Sequence, residues 1–227
     1  MRLLIISILC VLLTTPLFAT QIMPLNWGYI NFNPYHFNDN DKVEGEIADV
    51  VEQIFKKAQL RYTPIQLPNK RAKLYLEQGR VDFTIVIESY VNQPNNYLKS
   101  KLPFYLIKLG AVCRNKNYNI QSVDDLKGIR LILLTGYSYG LDFELNEQNG
   151  FNVVLKAENH FQALRALEYD RGDCALGYKG PFQAEDYDQS KLNLHFFPMD
   201  EFPVYLYLNK KAANADDVMK RINNAMQ

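Results

Sequence analysis

Cysteine and histidine are scarce in this chain, and an excess of either charge sign is missing. Three cysteines in 227 residues are too few for a disulfide-scaffold protein. Lys and Arg number 25 against 25 Asp and Glu, so the basic surplus expected of a nucleic-acid footprint is absent. The histidines, His36, His160 and His195, lie far apart, and no Cys or His pair has metal-ligand spacing. What remains is ordinary globular composition, 48% hydrophobic, which excludes disordered and collagen-like classes and calls for no cofactor.

One stretch departs from this uniformity. Arg2 is followed by an apolar run over residues 3–13, then Thr14, Thr15, Pro16 and a Leu17-Phe18-Ala19 ending. This is the pattern of a secretory signal peptide, residues 1–19, cleaved near Ala19. The run is about half of the ~20 residues a membrane-crossing helix requires. Cys10 follows bulky Leu9, an unsuitable context for lipid attachment. Export leaves Cys113 and Cys174, which can pair in an oxidising compartment. Both sit in apolar runs where buried free thiols are also common, so sequence leaves the bond open.

Apolar runs alternate with helical patterns, the signature of βαβ units and a largely parallel sheet. Ile47, Val50, Val51, Ile54 and Ala58 mark one face of a helix after Gly45. Residues 70–78 predict a second helix stopped by Gly79, and 83–87 a buried strand. Further strands are expected at 129–134 and 153–155, and helices at 141–148 (closed by Gly150), 161–169 and 216–226. An internal echo links the two halves: Leu76-Glu77-Gln78-Gly79-Arg80-Val81-Asp82-Phe83 returns as Leu167-Glu168-Tyr169-Asp170-Arg171-Gly172-Asp173-Cys174. Each copy joins a helix end to an apolar strand, implying two similar α/β lobes.

Read in order, several motifs resemble one family. They are Asn33-Pro34-Tyr35-His36-Phe37 before Val43-Glu44-Gly45, the Leu76 to Asp82 turn, Leu98-Lys99-Ser100-Lys101-Leu102-Pro103-Phe104-Tyr105, and Ser122-Val123-Asp124-Asp125-Leu126-Lys127-Gly128 ahead of a strand and Gly136. Together they resemble the extracellular solute-binding proteins of ABC importers, specifically family 3, the type 2 periplasmic binding proteins that include polar amino-acid binders. The family's last helical stretch has no counterpart after Asn224-Ala225. The resemblance implies an α/β fold of two lobes, each a mainly parallel sheet flanked by helices, with two hinge crossovers near residues 104–109 and 200–205. Lobe 1 would comprise 20–104 and 203–227, and lobe 2 105–202. It also implies a monomeric periplasmic carrier, a small polar solute as ligand, and an inner-membrane ABC permease as partner.

The family's amino-acid clamps are not legible. The resemblance places a carboxylate-binding arginine between Asp82 and Ser100, where this chain has none and Gln93 and Pro94 stand nearest; Ser89 fills the hydroxyl position. An acid that would hold the amine is replaced by Gly177-Tyr178-Lys179, and the Thr expected after Gly136 is Tyr137. Standard α-amino acids are therefore expected to bind poorly. Aromatic and basic residues stand instead: Trp27, Tyr29, Phe32, Tyr35 and Phe37, then Tyr90, Tyr137 and Tyr139, with Lys70 and Arg71 opening the second helix. The ligand-binding candidates are Tyr29, Phe32, Tyr35, Arg71, Ser89, Tyr90, Tyr137, Ser138 and Tyr178. Aromatic rings supply stacking area with polar tips, and Arg71, if it faces the cleft, favours an anionic group.

Gly136-Tyr137-Ser138-Tyr139-Gly140 also matches the G-x-S-x-G nucleophile elbow, and Asp173 or Asp188 followed by His195 gives the chain order of a hydrolase triad. No H-G-G oxyanion segment precedes it. A secreted serine hydrolase, or an enzyme or sensor on the binding-protein scaffold, is thus the alternative to a carrier.

Overall fold

The computed structural model describes residues 23–141, 143–184 and 193–227. The signal-peptide segment 1–19 and Asp188 lie outside the described residues. In chain order the elements are β1 (Leu25–Tyr29), β2 (Phe37–Asp39), β3 (Lys42–Glu44), α1 (Glu46–Lys57), β4 (Tyr62–Gln66), α2 (Asn69–Gln78), β5 (Phe83–Val86), β6 (Tyr97–Lys99), β7 (Tyr105–Cys113), β8 (Arg130–Leu134), β9 (Asn152–Ala157), α3 (His160–Glu168), β10 (Cys174–Tyr178), α4 (Lys179–Ala184), β11 (His195–Asn209) and α5 (Ala215–Ala225).

The strands follow one path, β4-β1-β5-β11-β7-β10-β8-β9, with β6 on β11. β1 pairs in parallel with β4 and β5, and β8 in parallel with β9 and β10. Two parallel lobes are thus joined through antiparallel β7 and β11. The last residues of β11 pair with β5 (Tyr205↔Val86 to Leu208↔Phe83), while its first ten run along β7 from His195↔Cys113 to Val204↔Tyr105. Each sheet is covered by helices whose apolar faces point inward: Ile47, Ala48, Val51 and Phe55 of α1 are buried, as are Ala163, Leu164 and Leu167 of α3. Trp27, fully buried, stacks on Phe83 at 6.0 Å, and Phe55 stacks on Phe83 at 5.0 Å.

The sequence echo is a repeated piece of backbone. α2 ends with Gly79 left-handed (φ 70), and Arg80 N–H returns to Tyr75 O at 2.8 Å; α3 ends with Asp170 left-handed (φ 55), and Arg171 N–H returns to Ala166 O at 2.9 Å. Three residues on, each carboxylate accepts a backbone N–H from a parallel strand of its lobe: Asp82 from Asn26 of β1 at 2.7 Å, Asp173 from Arg130 of β8 at 3.1 Å.

The helix expected over 141–148 is a correction. Its described residues are non-helical up to a single 3-10 turn, Glu147–Asn149, closed by left-handed Gly150. Side chains compete for the backbone there: Asn149 N–H donates to Asn146 Oδ1 at 3.1 Å, and Asn149 Nδ2 donates to Glu144 O at 2.8 Å. The cysteine question also closes. Cys113 and Cys174 are opposite one another on β7 and β10 and form a disulfide.

Candidate functional site

Loops that follow the carboxyl ends of parallel strands meet between the lobes, where ligand binds in such sheets. β1 and β4 deliver residues 30–36 and 67–68 from one side; β8 and β9 deliver 135–141 and 158–159 from the other. They enclose two adjoining spaces that share Ile30, Asn69 and Tyr137.

The inner space is a small apolar cavity of about 70 Å³, lined by Tyr29, Phe32, Tyr90, Tyr137, Ser138 and Tyr178 together with aliphatic residues such as Ile85 and Val204. Six of the nine sequence candidates are therefore brought together. Phe32 makes lobe-to-lobe aromatic contact, edge-on to Tyr178 at 5.7 Å and tilted to Tyr137 at 6.1 Å. The Tyr178 hydroxyl is buried, which pushes its pKa up, and it donates to Ser138 O at 2.7 Å. Tyr90 donates to Asn69 O at 3.3 Å; burial raises its pKa as well. Ser89 lies outside this cavity and bridges the lobes, its Oγ 2.8 Å from Ser138 Oγ.

The other two candidates lie elsewhere. Tyr35 is buried in a lobe contact, its ring against Gly180 and Tyr105, and borders neither space. Arg71 is exposed on α2 and lines neither space. Among the other aromatics, Trp27 is core, and Tyr139 is buried with its hydroxyl accepting Leu134 N–H at 2.7 Å.

The outer space is a groove of about 650 Å³ whose lining is mostly polar, with Asn31, Asn33, Gln66 and Asn69 from one lobe and Glu158, Asn159 and His160 from the other, completed by apolar residues such as Ile30, Leu67 and Pro181. Its volume falls within the roughly 300–1,000 Å³ of ordinary ligand pockets, and the inner cavity falls well short. Sequence reasoning missed these residues; the available signal was position, since every one of them stands at or beyond the carboxyl end of a parallel strand. His160 is 4% exposed, set edge-on against Tyr137 and Phe182, and burial lowers its pKa to about 4. His36, beside the inner cavity, is lowered to about 3 for the same reason. Both imidazoles are neutral. Among the described residues no cluster of three His, Cys, Asp or Glu can hold a metal.

Among the described residues, which do not include Asp188, no triad arrangement is formed. Ser138 Oγ is paired with Ser89, His195 Nε2 has no hydrogen-bond partner, and Asp173 is held by Arg130 in a 2.8 Å ion pair. The glycines of the motif serve packing: a Cβ on left-handed Gly140 would sit 2.4 Å from the Phe202 ring, and one on left-handed Gly136 would sit 3.3 Å from Asn69 Nδ2. The geometry of the described residues does not support the hydrolase reading.

Two α/β lobes, two antiparallel crossover strands and a groove between them define the architecture of the two-lobed periplasmic binding proteins. The comparison with solved structures places this fold on an ancestral arginine-binding protein bound to arginine (TM-score 0.66, 20% identity, 89% of this chain and 90% of that one). Similar agreement is found with the arginine-, lysine-, histidine-binding protein ArtJ from the thermophilic bacterium Geobacillus stearothermophilus (0.65, 14%, 90% and 90%). A histidine-bound ABC uptake transporter substrate-binding protein from Streptococcus pneumoniae also matches (0.68, 18%, 89% and 85%). No family model and no curated protein sequence matches the chain.

Proposed function

We propose that this chain is an exported solute-binding protein that captures a small polar solute between its lobes and presents it to an ABC permease of the inner membrane. The observation that carries this reading is the groove of about 650 Å³ whose two walls stand on different lobes joined through β7 and β11. A solute touching both walls stabilises the closed form through contacts the open form lacks, which is hinge closure. The domain division is 20–104 with 203–227, and 105–202, with residues 1–19 as the export signal. Periplasmic residence fits the Cys113–Cys174 bond, which persists in oxidising compartments. Among the described residues no helix is long and apolar enough to cross a membrane. The protein acts as a monomer and performs no covalent step.

In this reading Tyr137 divides the groove from the inner cavity and contacts the solute, while Tyr29, Phe32, Tyr90, Ser138 and Tyr178 form the wall behind it. Ser89 acts as a clasp on the closed form. Tyr35 supports the lobe contact and Arg71 stays outside. The solved structures similar in fold bind arginine or histidine by their descriptions, so amino acids head the compounds to be tried. A thermal-shift screen tests the role, because a ligand specific for the folded state adds about 2.7 kcal/mol at 100 times its Kd. Small-angle scattering on the hit should show compaction. If no solute class raises the melting temperature at millimolar concentration, the carrier role is wrong.

A further inference from the structure

The polar side chains that line the groove include no cation among the described residues. Asn31, Asn33 and Gln66 stand exposed along one wall, and their side chains bond to no other described residue. Opposite them the Glu158 carboxylate enters no ion pair among the described residues. Among the described residues no lysine or arginine lines the space. α2 and α3 both begin at the groove, at Asn69 and His160, and each helix start carries roughly half a positive charge, so the two together about offset Glu158.

A ligand carboxylate entering this groove loses water without meeting a guanidinium or ammonium, and it faces Glu158. A lone ammonium meets Glu158 but also two helix starts of its own sign. An uncharged group meets neither conflict. Carboxamides present donors and acceptors side by side, the complement of hydroxyl and amide groups, and the Tyr137 ring offers an apolar face between them. We propose that the groove takes an uncharged solute rich in hydroxyl or carboxamide groups, and discriminates against amino-acid zwitterions. The proposal rests on the solute-binding reading above and names the ligand class of that same site.

Calorimetry and thermal shift on the full chain separate the possibilities. One arm uses glucose, myo-inositol, acetamide and urea, which also distinguishes hydroxyl from amide sources. A second uses arginine, histidine and glutamine, and a third putrescine. The expected result is binding in the first arm alone, with an affinity that changes less than about twofold between 20 and 500 mM NaCl because no charge pair is screened. An Asn31→Ala/Gln66→Ala variant should bind at least about tenfold more weakly while its ligand-free melting temperature stays unchanged, since neither side chain holds the fold. Tighter binding of an amino acid or of putrescine overturns the ligand class and leaves the solute-binding role standing. Neutral binding that ignores the variant overturns the site. Silence in every arm at about 10 mM overturns the ligand class, while the solute-binding role is decided separately by the wider thermal-shift screen.

Discussion

Acid should unfold this protein through two histidines. His36 and His160 are 5% and 4% exposed, and His36 Nδ1 and His160 Nε2 have no hydrogen-bond partner. Burial lowers their pKa values to about 3 and about 4, against about 6.5 in an unfolded chain. In the window from 6.5 down to 4 the unfolded state therefore binds more protons, and stability falls as pH falls. At pH 5 each unfolded imidazole is almost fully charged while its folded counterpart is neutral. Some 1.5 pH units at about 1.36 kcal/mol each is on the order of 2 kcal/mol per histidine, or about 4 kcal/mol for both. That is a large share of the roughly 5–15 kcal/mol that holds a domain folded. Asp125, Asp170 and Asp173 are held below the ordinary carboxylate range by hydrogen bonds from their neighbours, chiefly Gln121 for the first and Arg130 for the other two. Their stabilisation is lost only at lower pH, so melts at pH 7 and pH 5 isolate the imidazoles. Urea unfolding of the wild type should lose about 4 kcal/mol between these values, each single His→Gln variant about half of that, and the His36→Gln/His160→Gln variant less than about 1. The slope is the readout, so a lower starting stability in the variants does not matter. A wild type equally stable at both pH values, or a double variant that keeps the full slope, would refute the argument.

Other consequences follow from packing and from cross-links. The Cys113–Cys174 bond spans 61 residues of sequence, and closing a loop of that length is worth about 4 kcal/mol, so the Cys113→Ala/Cys174→Ala variant should show that loss in urea; a loss below 1 kcal/mol would mean the unfolded chain is not constrained by the bond. A Cβ on Gly28 would meet Val81 Cγ2 at 2.8 Å, so Gly28→Ala should cost about 1–3 kcal/mol and Val81→Ala in the same chain should recover most of it, as judged by thermal melts. Lobe 2 carries the same contact with sizes exchanged, Gly172 against Ile132 at 2.6 Å, so Ile132→Ala should rescue Gly172→Ala likewise. Removing the Ser89 hydroxyl deletes a lobe-to-lobe bond worth about 1 kcal/mol, so Ser89→Ala should raise the radius of gyration while costing no more than about 1 kcal/mol in urea; unchanged scattering would show that the bond clasps nothing.

Much of the fold was legible because its helices announce themselves locally. The apolar face of α1 repeats at helical spacing, and the turns after α2 and α3 share residues because both need a left-handed position followed by a carboxylate that reaches a strand N–H. β11 was harder. It holds Pro198 and Pro203, which read as strand breakers, yet over residues 195–204 it pairs with β7 alone, and only from Tyr205 does β5 join its other edge. Proline is tolerated along such a one-sided stretch, because its missing N–H faces no partner. The 141–148 segment shows the opposite error: apolar spacing was present, but Asn146 and Asn149 supplied backbone partners that a helix would have had to displace.

The site divided along a different line. Aromatic residues drew the sequence reading, and six of the nine candidates do converge, but they converge on a cavity of about 70 Å³ that closes between the lobes. The larger groove is walled by Asn31, Asn33, Gln66 and Asn159, amides of the kind that populate every turn and so carry no local signal. What distinguishes them is that each stands at or just beyond the carboxyl end of a parallel strand, and β4, whose end sets Gln66 and Asn69, contains Pro64 and lies at the sheet's edge, where no sequence pattern marks it. Topology therefore has to be known before these amides can be told from ordinary turn residues. The same ordering explains the serine motif: Gly136 and Gly140 look like a nucleophile elbow until the chain is folded, when the Phe202 ring is found where a Gly140 side chain would have been and Asn69 lies close against Gly136.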